Sequence, residues 1–520
     1  MCIIIYARYT FNLDDVWMWL DILHDKPIFN GYQPHAGRFF PLASIDLNLL
    51  MPLSHSPYAF FTLNALIVLG SGILLWKILD CVFQTYCIPK RYQWFVLAMF
   101  VGLFLHPGFV TIMVGICYPE RLKSLCLLAF VYMSLKFYLS PRVRYMALGI
   151  VSANLAIYLK EPTFLAIGVF GLFGLVMSAR GNGAHKKRAL VYYGLLVLSA
   201  VAFLTLYLWL VYPQILKSYQ RPSVISEALR VLKGLANFSL NDCFVIWLFG
   251  TLAAYRAYKL LWQKARDSLF FDALLFSAMA YLGAFIALRL FEHYYLIPVY
   301  ILGGASVVYY LFALGYAKKL FFKVVAIICC ALFALNALPT GIYTFVWLKG
   351  EGVRFHQSLE FIAAQARQNS HITLYFDGNG RSKNYNTWYW GYFGRYLQEV
   401  YHISNFDIKT HEPNHDGVVL EHSETSSLSI YSQSAPSTPS KGDFIIINSS
   451  SHHFIDSAYL KNMAQKYDLV YQSSAFTLPY ITPKSLIKYA FSSAPLIGQI
   501  KVGDENIFRL PQFDYIYQVR

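Results

Sequence analysis

Long apolar segments alternate with short polar breaks over the first two thirds of this 520-residue chain. Runs long enough to cross, or nearly cross, a hydrocarbon core of about 30 Å cover residues 59–82, 93–110, 122–139, 145–158, 163–178, 189–211, 244–261, 270–289, 295–315 and 323–347. Their length and polarity predict ten membrane-spanning helices. The fourth and fifth runs are short, but YLKEPTF (158–164) between them holds a Lys, a Glu and a Pro that would be costly at mid-bilayer, so two spans with a tight turn are expected. Ahead of these runs, MCIIIYARYTFN is too brief for a full crossing and lacks a signal-peptide pattern. It reads as a stub, or the chain begins upstream with an eleventh helix.

Beyond residue 348 the pattern changes. VRFHQSLEFIAAQARQ (353–368) has the spacing of an amphipathic helix, and HITLYFDG (371–378), GDFIIINSS (442–450) and YDLVYQSS (467–474) read as strands. A mostly α, polytopic membrane domain over 1–348 followed by a small α/β domain over 349–520 is therefore expected. EHSETSSLSIYSQSAPSTPSKGD (421–443) has the composition of a surface loop.

Composition supports the membrane setting: 57% of residues are hydrophobic, 14% are charged and the mean hydropathy is +0.43. A net charge of +15 would suggest nucleic acid in a soluble protein. Here much of the Lys and Arg lies in short breaks, where it sets orientation instead. With ARGNGAHKKRA (179–189) cytoplasmic, alternation puts PKR (89–91), SPRVR (140–144), QKARD (263–267) and AKKLFFK (317–323) on the same side. The opposite side receives Asp14 and Asp15, CYPERLK (117–123), KEP (160–162), RLFEHYY (289–295) and everything after about 349. Residues 212–242, also on that side, carry Lys217, Arg221, Arg230 and Lys233, and VISEALRVLKGLANFSL (224–240) has the period of a helix lying in the interface. The eight cysteines show no metal-ligand spacing and read as packing residues.

The outer motifs are where chemistry is expected. In FNLDDVWMWL (11–20), Asp14 and Asp15 lie beside Trp17 and Trp19; such carboxylates suit deprotonation of a hydroxyl or binding of a divalent cation, and Asp14 equally suits the N-cap of a short helix. Arg38 in HAGRFFPLASIDLNLL (35–50) can meet a phosphate or snorkel to the interface. Glu120 with Arg121, and Lys160 with Glu161, are sites or simple ion pairs. Arg289, Glu292, His293 and Tyr294 crowd one helix entrance, where aromatic anchoring also accounts for the tyrosines.

The order of these motifs, an Asp pair in the first outer loop, an acidic residue in the second, a basic residue with proline in the third and a late HYYLIP, resembles the GT-C glycosyltransferases. These membrane enzymes take a sugar from a polyprenyl-phosphate carrier, as the protein mannosyltransferases and lipid A aminoarabinose transferases do. The resemblance covers the topology of about the first 350 residues. It implies that Asp14 or Asp15 is the catalytic base or its organiser, that Glu120 is the second-loop acid, and that Lys160 and Arg289 contact the carrier phosphate, joined by Arg38. The second loop departs from the family in having Arg121 where relatives show a second acid. No cofactor is then required, since basic residues replace the cation; with a cation, Asp14, Asp15 and Glu120 would be its ligands. The implied partners are a polyprenyl-phosphate-linked sugar donor, a glycan, lipid or protein acceptor and membrane lipids, with no nucleic acid, at the outer face of the bacterial inner membrane. An O-antigen polymerase or ligase, and a polysaccharide flippase, are the alternatives.

Overall fold

The structure is a computed structural model that describes residues 2–9, 15–28, 31–180, 186–214, 224–264, 269–376, 387–410, 439–448, 457–474, 478–492, 507–510 and 513–520. The chain divides into two units, one of residues 1–4 and 27–342, the other of residues 5–26 and 343–520.

In the first unit, a short hairpin of β1 (Tyr32–Gln33) and β2 (Arg38–Phe39) precedes the helices. Its helices in chain order are α2 (Ile45–Leu50), α3 (Pro57–Thr85), α4 (Lys90–Leu103), α5 (Pro107–Val114), α6 (Glu120–Leu139), α7 (Val143–Leu159), α8 (Thr163–Arg180), α9 (Lys186–Leu210), α10 (Val224–Asn241), α11 (Gly250–Leu261), α12 (Leu269–Ala287), α13 (Ile297–Val308), α14 (Leu320–Leu332) and the start of α15 (Leu338–Gln368). The numbering begins with α1 (Asp15–Leu23), which belongs to the second unit.

Each of the ten apolar runs is occupied by helix. Among the described residues seven helices are long and apolar enough to cross a membrane, α4 and α5 form an eighth span bent by 56°, and α7 and α8 are the two shorter apolar helices. The chain is thus a multi-pass membrane protein of mostly α structure. Side chains such as Leu66, Leu69 and Trp76 on α3 are exposed, as a bilayer-facing surface requires, since lipid tails are as apolar as leucine.

Local chemistry explains the bend in the second run. Pro107 occupies the first turn of α5, where its missing N–H costs nothing, and the His106 ring caps that helix by accepting the Gly108 N–H at 3.2 Å. Three π-helical turns, Phe244–Phe249, Tyr309–Ala313 and Phe333–Ala337, interrupt the later spans. Such turns often mark functional positions in membrane and soluble helices alike.

The second unit holds a five-stranded sheet in the order β4 (Phe406–Thr410), β3 (Ile372–Phe376), β5 (Phe444–Ile447), β7 (Tyr515–Val519), β6 (Tyr467–Gln472). Strand β3 runs parallel to β4 and β5, and β7 is antiparallel to β5 and β6. Helices α16 (Thr387–Glu399), α17 (Ser457–Lys466) and α18 (Pro483–Ser492) complete it. Its core joins Leu359, Ile362, Leu374, Phe393 and Ile446 to Val16 and Leu20 of α1. The amphipathic run 353–368 is not a separate helix but the end of the continuous α15, because KGEGVRF contains no proline to stop it.

Candidate active site

Four connections at one end of the first unit bring charged side chains together. Glu120 begins α6 directly after Pro119, where a carboxylate also complements the helix dipole. Lys160 follows the last residue of α7 and places its Nζ 3.1 Å from Glu120 Oε1, with both side chains buried. The Glu120 carboxylate oxygens have no hydrogen-bond partner among the described residues beyond this ion pair. One turn along α6, the buried Lys123 donates to the Tyr281 hydroxyl at 3.0 Å. Aromatic faces complete the enclosure, with the Lys160 ammonium 4.8 Å from the Phe40 ring centroid and 5.5 Å from that of Tyr295. Burial works against the Lys160 charge, but Glu120 and Glu161 outweigh it and raise its pKa above the ordinary lysine value. Lys160 is therefore a cation throughout the neutral range.

The other expected residues divide by what they touch. Glu161 accepts the Phe39 N–H at 3.0 Å and so ties the hairpin bearing the half-buried Arg38 to the turn bearing Lys160. Arg121 is taken up by Asp46, 2.8 Å away, and by the Ile116 carbonyl at 3.1 Å. Tyr294 packs on Tyr118 and Tyr295 with ring centroids 4.8 and 4.4 Å apart. Arg289, two residues beyond α12, has a left-handed backbone conformation and pairs with Glu227 of α10 at 2.5 Å. Glu292 is exposed. Asp15 is buried at the first position of α1 in the second unit. Asp14 lies outside the described residues.

A second cluster shares this end of the unit and was not apparent from the sequence. The fully buried Asp242 carboxylate faces two imidazoles, with His106 Nε2 3.2 Å from Oδ1 and His293 Nδ1 2.6 Å from Oδ2. The Tyr300 hydroxyl also approaches Oδ1, at 3.4 Å. Burial alone would raise the Asp242 pKa, but His106 and His293 outweigh it and hold the carboxyl at about 2. The available signal was an ionisable residue inside or beside an apolar run, as at His106 and Asp242. At the far end of α12, Arg256 and Asp272 form a two-point ion pair at 2.8 and 2.9 Å, saturated further by Tyr310 and Tyr316. That pair is sealed and serves packing between α11 and α12.

An apolar groove runs beside the second cluster, lined by Phe95, Met99, Phe249, Phe312 and Ile327 and reaching Tyr300. Among the described residues no three His, Cys, Asp or Glu side chains are arranged to hold a metal ion. Glu120, the described first-unit member of the alternative ligand set, already faces two ammonium groups.

No family model matches the chain, and no curated protein matches it. Among solved structures it is similar to the crystal structure of the Archaeoglobus fulgidus oligosaccharyltransferase in complex with zinc and sulfate, with a TM-score of 0.42 and 11% identity, covering 98% of this chain and 85% of that one.

Proposed function

We propose that the chain is a membrane glycosyltransferase that moves a sugar from a polyprenyl-phosphate carrier to a lipid, glycan or protein acceptor at the outer face of the bacterial inner membrane. The observation that carries this reading is the meeting of Lys160, Lys123, Glu120 and the Arg38 hairpin at one end of the helical unit. Lys160, Lys123 and Arg38 set against Glu120 and Glu161 leave cationic capacity for a phosphate, and aromatic faces beside them suit a sugar ring. In an inverting transfer the acceptor oxygen bonds to the anomeric carbon, the bond to the phosphate oxygen breaks, and preorganised cations stabilise the charge on the departing phosphate. The apolar groove matches the chemistry of an isoprenoid tail. A transport reading would need exposed charge along the whole path, and the Arg256–Asp272 pair at the other end is fully buried and paired. The basic content of the 212–242 loop is smaller than a polymerase or ligase reading would lead one to expect.

The test is turnover of the purified full-length protein in nanodiscs against a panel of polyprenyl-monophosphate-linked hexoses, pentoses and aminosugars, with mass spectrometry of lipid A, O-antigen and glycoproteins to identify the acceptor. Transfer from at least one donor is expected, undiminished by EDTA, because Lys160, Lys123 and Arg38 do the work of a cation. Asp14→Asn is expected to lower turnover by about 10²- to 10⁴-fold through loss of the carboxylate that organises the acceptor. No transfer from any donor, with no glycan changed on gene deletion, refutes the reading.

A further inference from the structure

The Asp242 cluster has a directionality that the Glu120 cluster lacks. His106 accepts the Gly108 N–H at Nδ1, so its own proton is on Nε2, directed at the Asn241 carbonyl 2.9 Å away and at Asp242. That ring is fully buried. His293 is oriented the other way. Its Nδ1 meets Asp242 at 2.6 Å, and its Nε2 lies 3.1 Å from the Asn237 Nδ2, a group that only donates.

A row of amides enforces that assignment. Asn336 Nδ2 donates to Asn241 Oδ1 at 2.7 Å, and Asn241 Nδ2 donates to Asn237 Oδ1 at 3.0 Å, which leaves Asn237 its N–H for His293. The His293 proton is thus on Nδ1, pointing at a carboxylate, and a lone pair on Nε2 points away from it. Of His106, Asp242 and His293, only His293 is partly exposed, at 18% of its side chain. It also precedes Tyr294 and Tyr295, and Tyr295 lies under the Lys160 ammonium.

We propose that His293, clamped by Asp242, is a catalytic base of the transfer, accepting the acceptor's hydroxyl proton at Nε2 once that hydroxyl displaces the Asn237 amide. This role rests on the glycosyl-transfer reading. The acceptor O–H bond breaks as its oxygen bonds to the anomeric carbon, the electron pair of the sugar–phosphate bond leaves on the phosphate, and the proton stays on His293 until product release. Asp242 is a positioning residue that stabilises the imidazolium formed, and His106 holds Asp242 in place. The groups facing His293 are Asp242 ahead of the Phe244–Phe249 turn, His106 capping α5, Asn237 and Phe238 of α10, and Tyr300 of α13 through Asp242. The Arg289–Glu227 pair closes the preceding loop against α10.

Two measurements on the full-length protein in nanodiscs test this. In ¹³C,¹⁵N-histidine NMR, the wild-type His293 ring should carry its proton on Nδ1, and Asp242→Asn should lose that tautomer preference. With an active donor from the panel, His293→Gln should lower kcat by about 10²- to 10⁴-fold with the KM for donor within a few-fold of wild type. It should also abolish the acid limb of the pH profile, and added imidazole should restore part of the activity of His293→Ala. An Nε2–H tautomer in the wild type, turnover of His293→Gln within threefold of wild type, or an unchanged acid limb in that variant overturns the role. Should His293→Gln fail to fold, the wild-type tautomer and acid limb decide. A wild type that transfers no sugar from any donor defeats the functional reading, and this role with it; an active wild type and an equally active His293→Gln defeat this role alone.

Discussion

Lys160 is the residue on which the first cluster turns, because its ammonium meets Glu120, Phe40 and Tyr295 together. Removing one partner of a buried ion pair leaves the other charged and unpaired, at a cost of about 3–5 kcal/mol. Lys160→Met should therefore lower unfolding stability in detergent by that order as well as abolish transfer, whereas Lys160→Arg should keep most of the stability. Equal stability of Lys160→Met and wild type would show that Glu120 does not depend on this ammonium. Because the Lys160 pKa is raised, the pair's contribution is complete below the unfolded lysine value and fades only as pH rises through the higher folded value. The residues of this cluster were readable as charges in short breaks between apolar runs. Asp242 and His106 were not: one closes a loop whose other charges suited headgroups, the other sits inside an apolar run, and only their pairing across 136 residues of chain reveals them.

At the level of elements, the broken α4–α5 span is held by glycines from two sides. A Cβ on Gly108 would lie 2.6 Å from the His293 carbonyl oxygen, and one on Gly341 would overlap the Leu105 carbonyl oxygen. Backbone on backbone cannot yield as a side-chain tip can. Gly108→Ala is accordingly expected to push α5 off the His293 segment, lowering the melting temperature and erasing the His293 tautomer preference, while Gly391→Ala in α16, with open space around it, should do neither. An unshifted histidine spectrum in Gly108→Ala would refute this account of the packing. The helices were legible because a span must be apolar over its whole length. Strands β3, β5 and β6 were legible as apolar runs, but β4 (FDIKT) and β7 (YIYQV) mix polar residues, and their places depend on partners far along the chain. The membership of residues 5–26 in the second unit is likewise a long-range fact, made by Val16 and Leu20 in its core. The loop 421–443 falls almost wholly outside the described residues.

For the whole molecule, the charge alternation anchored by Lys186, Lys187 and Arg188 sets the expected orientation, with the C-terminus outside. A phosphatase fused after Arg520 should be active, and a cytoplasmic reporter at the same position inactive; the reverse result would invert every loop and put the Lys160 and His293 clusters on the cytoplasmic side. The His106–Asp242–His293 arrangement also imposes a schedule on synthesis. His106 is made long before Asp242, but His293 comes 51 residues after it, and Asn336 comes 95 residues after Asn241. A nascent chain that ends between these points carries its membrane acid with one partner and an unfinished amide row. Spans α11 and α12 should thus stay within reach of the insertion machinery until α13 and α14 arrive, and ribosome-bound chains truncated before His293 should crosslink to that machinery where longer ones have been released.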